Sequence, residues 1–285
     1  PVANYKGHMY NLPFNMNTFT RVWPISTPQE AKAVIDQEIK KYGRENPKNL
    51  EEYAINLIGK TLYDMFICEY TEKQWGRKCC DLPSSIIRRI PLRFTYDNNY
   101  YYAKYQGIPI GGYTAIFQKM LKNADVLLET DFNKARKEWA NKADKIIYTG
   151  PIDEYFDYQF GELEYRGLKF EEKRFNKESF QGNAGFNYSD KSVDYTRTIE
   201  HKYFENLKTP FTIVSFEYPS TWKKGDYPFY PINDERNSAI LKKYLDLSVK
   251  ESKTIFGGRL GSYQYFDMSD TIESALKLCS SLLKG

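Results

Sequence analysis

Histidine is almost missing from this chain: only His8 and His201 occur among 285 residues. Neither has a partner at the spacing of a zinc site, so each reads as a structural or surface residue. The four cysteines, Cys68, Cys79, Cys80 and Cys279, show no paired metal spacing either. Cys79 and Cys80 are adjacent and poorly placed to bridge other elements. Reduced thiols are therefore expected, as in a cytoplasmic protein. There is no GxGxxG turn, no phosphate loop and no GxSxG nucleophile motif. No apolar run approaches the length of a membrane span and no signal peptide is visible, so no membrane insertion is expected. Charge of one sign is also lacking: 41 basic side chains face 37 acidic ones, a net of +4. That is too mild to argue for nucleic acid. An enzyme with so few titratable catalysts must borrow its chemistry from a cofactor.

What the chain does have is aromatic surface, 16% of residues, with 25 tyrosines. An excess of tyrosine fits polar ligand binding, and an aromatic-rich sheet would show the same excess. The densest stretch runs from Glu69 to Tyr113 and holds Trp75, Arg77, Arg88, Arg89, Arg93 and seven tyrosines. Ser84 reads as the N-cap of a short helix and Pro91 as its end. Ile86, Ile87 and Ile90 would then face a core while Arg88 and Arg89 leave on other sides. A guanidinium on a rigid helix is a fork for phosphate oxygens. Tyrosine hydroxyls and a tryptophan face suit a sugar or a base. A solvated basic helix end beside a tyrosine-rich surface remains open on these residues alone.

Taken in order, residues 1–17 predict a strand or two around a turn at Lys6-Gly7-His8. Pro28 to Tyr42 has the apolar spacing of a helix (Ala31, Val34, Ile35, Ile39). Asn49 to Glu52 reads as a capping box, with Leu50, Ala54, Leu57 and Ile58 inward and Gly59 as the stop. Leu62, Met65 and Phe66 carry the helix on to about Tyr70. An amphipathic helix with Ile116, Phe117, Met120 and Leu121 follows Gly111-Gly112. Asp125–Thr130 and Lys145–Thr149 read as strands of an α/β unit. From Glu162 to Tyr218 the apolar period becomes two, the mark of an antiparallel sheet. Residues 234–250 return to helix, and Lys253–Gly257 to strand. Asp270 to Glu273 caps a last helix with Ile272, Ala275, Leu276, Cys279 and Leu283 inward. Asp153 and Glu154 have the residue types of an acid–base pair, but a solvated loop after Pro151 is the expected reading.

Several long segments, in order, resemble bacterial UDP-galactopyranose mutase. They are YTEKQWGR (Tyr70–Arg77), RRIPLRFTYDNNYY (Arg88–Tyr101), YQGIPIGGYT (Tyr105–Thr114) and IIYTGPIDEYFDYQFG (Ile146–Gly161). YTRTIEHKYF (Tyr195–Phe204), YPFYPIND (Tyr227–Asp234) and FGGRLGSYQYFDM (Phe256–Met268) follow. The resemblance implies an α/β flavoprotein with an incomplete Rossmann-like FAD domain, an inserted α-helical domain and an antiparallel β-sheet domain. The implied segments are 1–17 as strands of the sheet domain, 18–105 as the helical substrate domain and 106–154 as FAD domain. Residues 155–232 form the sheet domain and 233–285 the C-terminal FAD segment. The family's glycine-rich fingerprint would precede Pro1, so the chain is expected to lack the first FAD-binding βαβ unit and to be inactive alone.

By resemblance the activity is that of an isomerase interconverting UDP-galactopyranose and UDP-galactofuranose, for galactofuranose-containing cell-surface glycans. The family uses reduced FAD, whose N5 forms an adduct with the sugar and displaces UDP. Arg89 and Arg197 match the two diphosphate arginines, and Tyr100, Tyr230 and Tyr265 the tyrosines on the same phosphates. Tyr70, with Phe66 and Thr71, matches the uridine end, Asn187 a uridine-side asparagine, and Trp75 the tryptophan beside the sugar and flavin. Ile67 is aliphatic where some relatives have a second aromatic. Arg259 matches the arginine at the FAD diphosphate; Phe266, Asp267 and Met268 the flavin-side turn; Asp131 and Phe132 the adenine end. The resemblance further implies a cytoplasmic homodimer with NAD(P)H or another reductant as partner. Other classes are a flavin oxidoreductase or a non-catalytic nucleotide-sugar binding module.

Overall fold

A computed structural model describes residues 1–87 and 90–283. Its strands are β1 (Val2–Tyr5), β2 (His8–Asn11), β3 (Ile146–Tyr148), β4 (Tyr165–Phe175) and β5 (Gly185–Tyr188). Four more follow: β6 (Arg197–Glu200), β7 (Thr212–Thr221), β8 (Tyr230–Pro231) and β9 (Thr254–Phe256). The helices begin with α1 (Met16–Val22), α2 (Pro28–Tyr42), α3 (Leu50–Ile58), α4 (Lys60–Leu62) and α5 (Glu69–Trp75). After these come α6 (Thr114–Met120), α7 (Arg136–Lys142), α8 (Ile152–Tyr155), α9 (Glu235–Ser248), α10 (Gly258–Gly261) and α11 (Met268–Leu282). The chain divides into two compact units: Pro1–Lys122 with Leu168–Thr221, and Asn123–Gly167 with the chain from Trp222 onward.

In the first unit the helices follow local signals. Thr27 and Glu30 close a reciprocal capping box at α2, with Pro28 in the first turn. Ala31 and Ile35 are buried, as their spacing requires. Asn49 accepts the Glu52 N–H at 3.0 Å and starts α3. Glu52, however, accepts the N–H of Lys48 at 2.8 Å, so the expected box is open on that side. Gly59 stops α3 at φ +82, a conformation that favours glycine. Ile55 is buried in that helix while Leu57 is only partly so. Between α4 and α5 lies a π-helical turn, Tyr63–Cys68. Within it the neighbours Phe66 and Ile67 are both buried in the core. The helix then runs to Trp75, five residues past its expected end, and Gly76 closes it at φ +66.

The helix expected after Ser84 is a 3₁₀ turn, Ser84–Ile86, preceded by Pro83. Ile87 is buried as expected, whereas Arg88 and Arg89 lie outside the described residues. α6 forms after Gly111 and Gly112, but Ile116, Phe117, Met120 and Leu121 are exposed. Strands of this unit run in the order β2-β1-β5-β6-β7-β4. The sheet is mixed rather than purely antiparallel. β1 pairs with β5 in parallel (Val2 with Phe186, Ala3 with Asn187), while β1–β2, β5–β6 and β6–β7 are antiparallel. A parallel partner so distant in sequence leaves no local signature.

In the second unit β3 and β9 pair in parallel, Tyr148 opposite Phe256. The start of β4 pairs antiparallel with β8, Arg166 opposite Tyr230. Around them lies a core of Tyr148, Ile152, Tyr155, Phe156, Leu163, Tyr165, Tyr244 and Tyr263. Three expectations need correction here. Val126, Leu127 and Leu128 are exposed and form no strand, since no described strand supplies them with hydrogen bonds. Asp153 is not in a solvated loop. It lies on α8 at 1% exposure, because its carboxylate accepts the Leu163 N–H at 2.8 Å. α11 is capped by Asp267, not Asp270. Asp270 is the third residue of that box, and Ile272, Leu276, Cys279 and Leu283 are exposed.

Candidate functional site

The predicted residues divide between the two units. In the first, Phe66, Tyr70, Thr71 and Trp75 follow one another along the π turn and α5. Phe66 is buried among Tyr10 (5.1 Å between ring centroids), Phe14 (5.4 Å) and Tyr5 (6.1 Å). Thr71 is buried as well, while Tyr70 and Trp75 are half-buried. Lys73, on the same helix, donates from Nζ to the carbonyls of Tyr188, Asp190, Val193 and Tyr195 at 2.6–3.2 Å. One ammonium thus ties α5 to the 188–195 loop of the sheet. Burial pushes that ammonium down to about 8, against the pull of Asp190 and Glu69.

Asn187, Arg197 and Glu217 form a row across β5, β6 and β7, set by register. Arg197 donates from Nε to Asn187 Oδ1 at 3.2 Å and its Nη1 lies 3.6 Å from Glu217 Oε2. Glu217 is 3% exposed. Sequence reasoning found Asn187 and Arg197 but missed Glu217 and Lys73. A period-two pattern marks the face a residue takes and not its cross-strand neighbour. Arg93, one of the arginines in the dense stretch, is engaged by its own loop. It is buried, reaches the Asn99 carbonyl and Asp97 (3.0 Å), and lies over the Tyr102 ring at 4.2 Å. Its Nη2 also meets the carbonyl of Tyr100, whose ring stands edge-on to Tyr101 at 5.3 Å.

The second unit holds Tyr230, Tyr265 and Arg259 together. Tyr230 and Tyr265 meet edge-on at 5.5 Å. Arg259 sits 5.3 Å from the Tyr265 ring and donates to the Phe229 carbonyl at 2.7 Å. It is carried by α10, directly after β9 and a Gly258 at φ +71. Asp267 caps α11 and donates its N–H to Asp270 at 2.9 Å; Phe266 is half-buried and Met268 exposed. Asp131 caps a 3₁₀ turn by accepting the Asn133 N–H at 2.9 Å. Phe132 packs toward Tyr148 (5.7 Å) and Tyr155 (6.4 Å). An FAD needs a cation for its diphosphate and N–H donors for the flavin edge. Arg259 has the chemistry for the first need, and for the second the first turn of the 15-residue α11 offers the N–H groups that its capping box leaves over.

The family model described as UDP-galactopyranose mutase matches residues 65–265. A probable UDP-galactopyranose mutase of Klebsiella pneumoniae is 38% identical over 99% of this chain and 73% of its own length. A dTDP-fucopyranose mutase of Escherichia coli is 35% identical over 99% of this chain and 77% of its own. The crystal structure of a reduced UDP-galactopyranose mutase superimposes with a TM-score of 0.63 over 93% of this chain and 73% of that one. At 14% identity that likeness establishes the fold alone.

Proposed function

Because the chain belongs to the UDP-galactopyranose mutase family, we propose that it interconverts UDP-galactopyranose and UDP-galactofuranose, for galactofuranose-containing glycans. The observation that carries this reading is the 38% identity along 99% of the chain. The chemistry of the site agrees with it. The leaving group is a nucleoside diphosphate, so the protein needs cations and hydroxyl donors rather than a histidine base. Arg197, gripped at Nε by Asn187 and flanked by Glu217, is oriented before a diphosphate arrives. Arg89 and Tyr100 are proposed as its companions at the diphosphate, and Tyr230 and Tyr265 are proposed as phosphate donors by their motif position. Tyr70, Phe66, Thr71 and Asn187 are assigned to the uridine and Trp75 to the sugar. Arg259, Asp131, Phe132, Phe266, Asp267 and Met268 would hold FAD. When bound and reduced, FAD supplies the nucleophile for the anomeric carbon, with no net oxidation. NAD(P)H is the proposed reductant and the cytoplasm the proposed location.

A second reading rests on the Escherichia coli relative, nearly as similar and named for dTDP-fucopyranose. Thymine adds a methyl to uracil and fucose lacks the 6-hydroxyl of galactose, so base pocket and sugar pocket decide between them. The test is run on the full gene product carrying this sequence, with FAD and dithionite. UDP-galactopyranose is expected to turn over at least about tenfold faster than dTDP-fucopyranose, as one lost polar contact commands. The reverse order selects the second reading. Flavin bound with neither sugar isomerised overturns both, and net oxidation of a sugar would make the protein an oxidoreductase.

A further inference from the structure

We propose that Cys68, Glu72 and Cys79 form a three-ligand site for a thiophilic divalent cation, with Zn2+ the best match. Their ligand atoms, two sulfurs and one carboxylate oxygen, all lie within 4.8 Å of one another. A tetrahedral zinc with bonds of about 2.0–2.3 Å holds its ligand atoms about 3.3–3.8 Å apart. Closing the set therefore takes a shift of about an ångström, within the reach of side-chain rotation.

The backbone explains how ligands so unevenly spaced in sequence meet. Cys68 ends the π turn and Glu72 stands four residues on, on the same face of α5. Gly76, at φ +66, then reverses the chain, and Cys79 opens a 3₁₀ turn (Cys79–Asp81) beside the helix it left. The Cys79 sulfur reaches the Cys68 carbonyl at 3.5 Å. Cys79 is buried, whereas Cys68 and Glu72 are half-buried, which leaves an entry side and an open fourth position.

The surroundings suit a cation. Lys191 Nζ holds Glu72 Oε2 at 2.6 Å and so fixes the carboxylate while its other oxygen remains for the metal. The buried Tyr63 hydroxyl lies against both sulfurs. Two thiolates and a carboxylate carry three negative charges, which the dication and the Lys191 ammonium balance. Binding displaces the two thiol protons to solvent, so no oxidant or reductant is required. Once filled, the site would clamp α5, the helix of Tyr70, Thr71 and Trp75, to the turn that follows it.

The probe is Co2+, titrated into the reduced, chelator-treated full gene product and followed by its thiolate-to-cobalt charge-transfer absorption, with Zn2+ then displacing it. One Co2+ per chain is expected. Cys68→Ser and Cys79→Ser should each weaken binding by about 100-fold or more, and Glu72→Gln by roughly tenfold. Cys80→Ser and Cys279→Ser should leave it unchanged. Circular dichroism checks that each variant is folded. Should buried Cys79→Ser fail that check, Cys68→Ser and Glu72→Gln carry the test. Absence of a thiolate band in the reduced protein overturns the proposal, as does a band that survives Cys68→Ser. So does a band lost in Cys80→Ser.

Discussion

Glu217 keeps a carboxylate almost wholly out of water, with its Oε1 lacking a hydrogen-bond partner among the described residues. Such a group is costly unless a cation stands by it, and Arg197 does so at 3.6 Å. The carboxylate thereby aims the guanidinium proposed to meet the diphosphate. Arg197→Ala is expected to lose roughly 2–4 kcal/mol of transition-state stabilisation. Glu217→Gln, which keeps the shape but not the charge, should cost about tenfold in kcat/KM with flavin still bound. Steady-state kinetics measure both, and parental turnover in Glu217→Gln would detach that residue from the site. Glu200, three residues along the same strand from Arg197, does a different job. Its carboxylate accepts the N–H groups of Phe180 and Gln181 (2.8 Å each), that of Gly182 (3.3 Å), and the Thr212 hydroxyl (2.8 Å). Burial pushes its pKa up, but the donors outweigh it and the folded value lies below the ordinary 4.5. A depressed carboxylate pKa contributes stability above the unfolded value and loses it as pH falls through the folded one. Glu200→Gln is therefore expected to cost roughly 1–3 kcal/mol at pH 7. That penalty should shrink as denaturant melts are taken below pH 4.5. A penalty independent of pH would mean that shape and not charge matters there.

At the scale of elements, α10 shows how little room surrounds Arg259. A Cβ at Gly261 would sit 2.8 Å from the Tyr148 carbonyl oxygen and 3.6 Å from that of Gly150. Both are backbone atoms at the end of β3, which a rotamer change cannot move. Gly261→Ala is expected to destabilise the second unit by roughly 1–3 kcal/mol. It should also weaken FAD binding by shifting Arg259, readable as flavin fluorescence released on mild heating. Unchanged stability would show that β3 and α10 separate easily. The elements most legible in the sequence are those with local causes. α2 has its box and its proline, and α9 has Asp234 accepting the Asn237 N–H at 2.9 Å. The π turn was not legible, since no residue type demands it, and it decides which face carries Phe66 and Tyr70. The parallel pairing of β1 with β5 and the bridge from Lys73 to the Tyr188 carbonyl, 115 positions away, follow from tertiary register alone. The site shows the same division. Tyr70, Thr71 and Trp75 were named through the resemblance, but the helix was expected to stop near Tyr70, so their sharing of α5 was not legible; Glu217 entered only through the pairing of β6 with β7.

The described residues form two cores of different character. The first is built on Phe14, Phe19, Leu50, Ile58 and Leu62, and the second on tyrosine. This accounts for part of the tyrosine excess without any ligand. The Tyr244 hydroxyl donates to the Gly161 carbonyl at 2.7 Å, Tyr263 to those of Glu164 (2.5 Å) and Ile232 (3.0 Å), and Tyr155 meets Thr254 at 2.9 Å. Each of these rings fills apolar volume while its hydroxyl satisfies a backbone or side-chain group. Burial pushes the Tyr148 phenol up to about 12, so it stays neutral and bonded to Asn133 (3.0 Å) throughout the working range. Two cores that share none of their buried residues need not melt together, and a single unfolding free energy then has no meaning for the chain. Hydrogen exchange read by mass spectrometry, segment by segment, can decide this. Glu200→Gln should speed exchange in 168–221 and leave 146–165 and 235–256 as they were. Gly261→Ala should do the opposite. If both variants speed exchange equally in all these segments, the chain opens as one cooperative body and the two-core account fails.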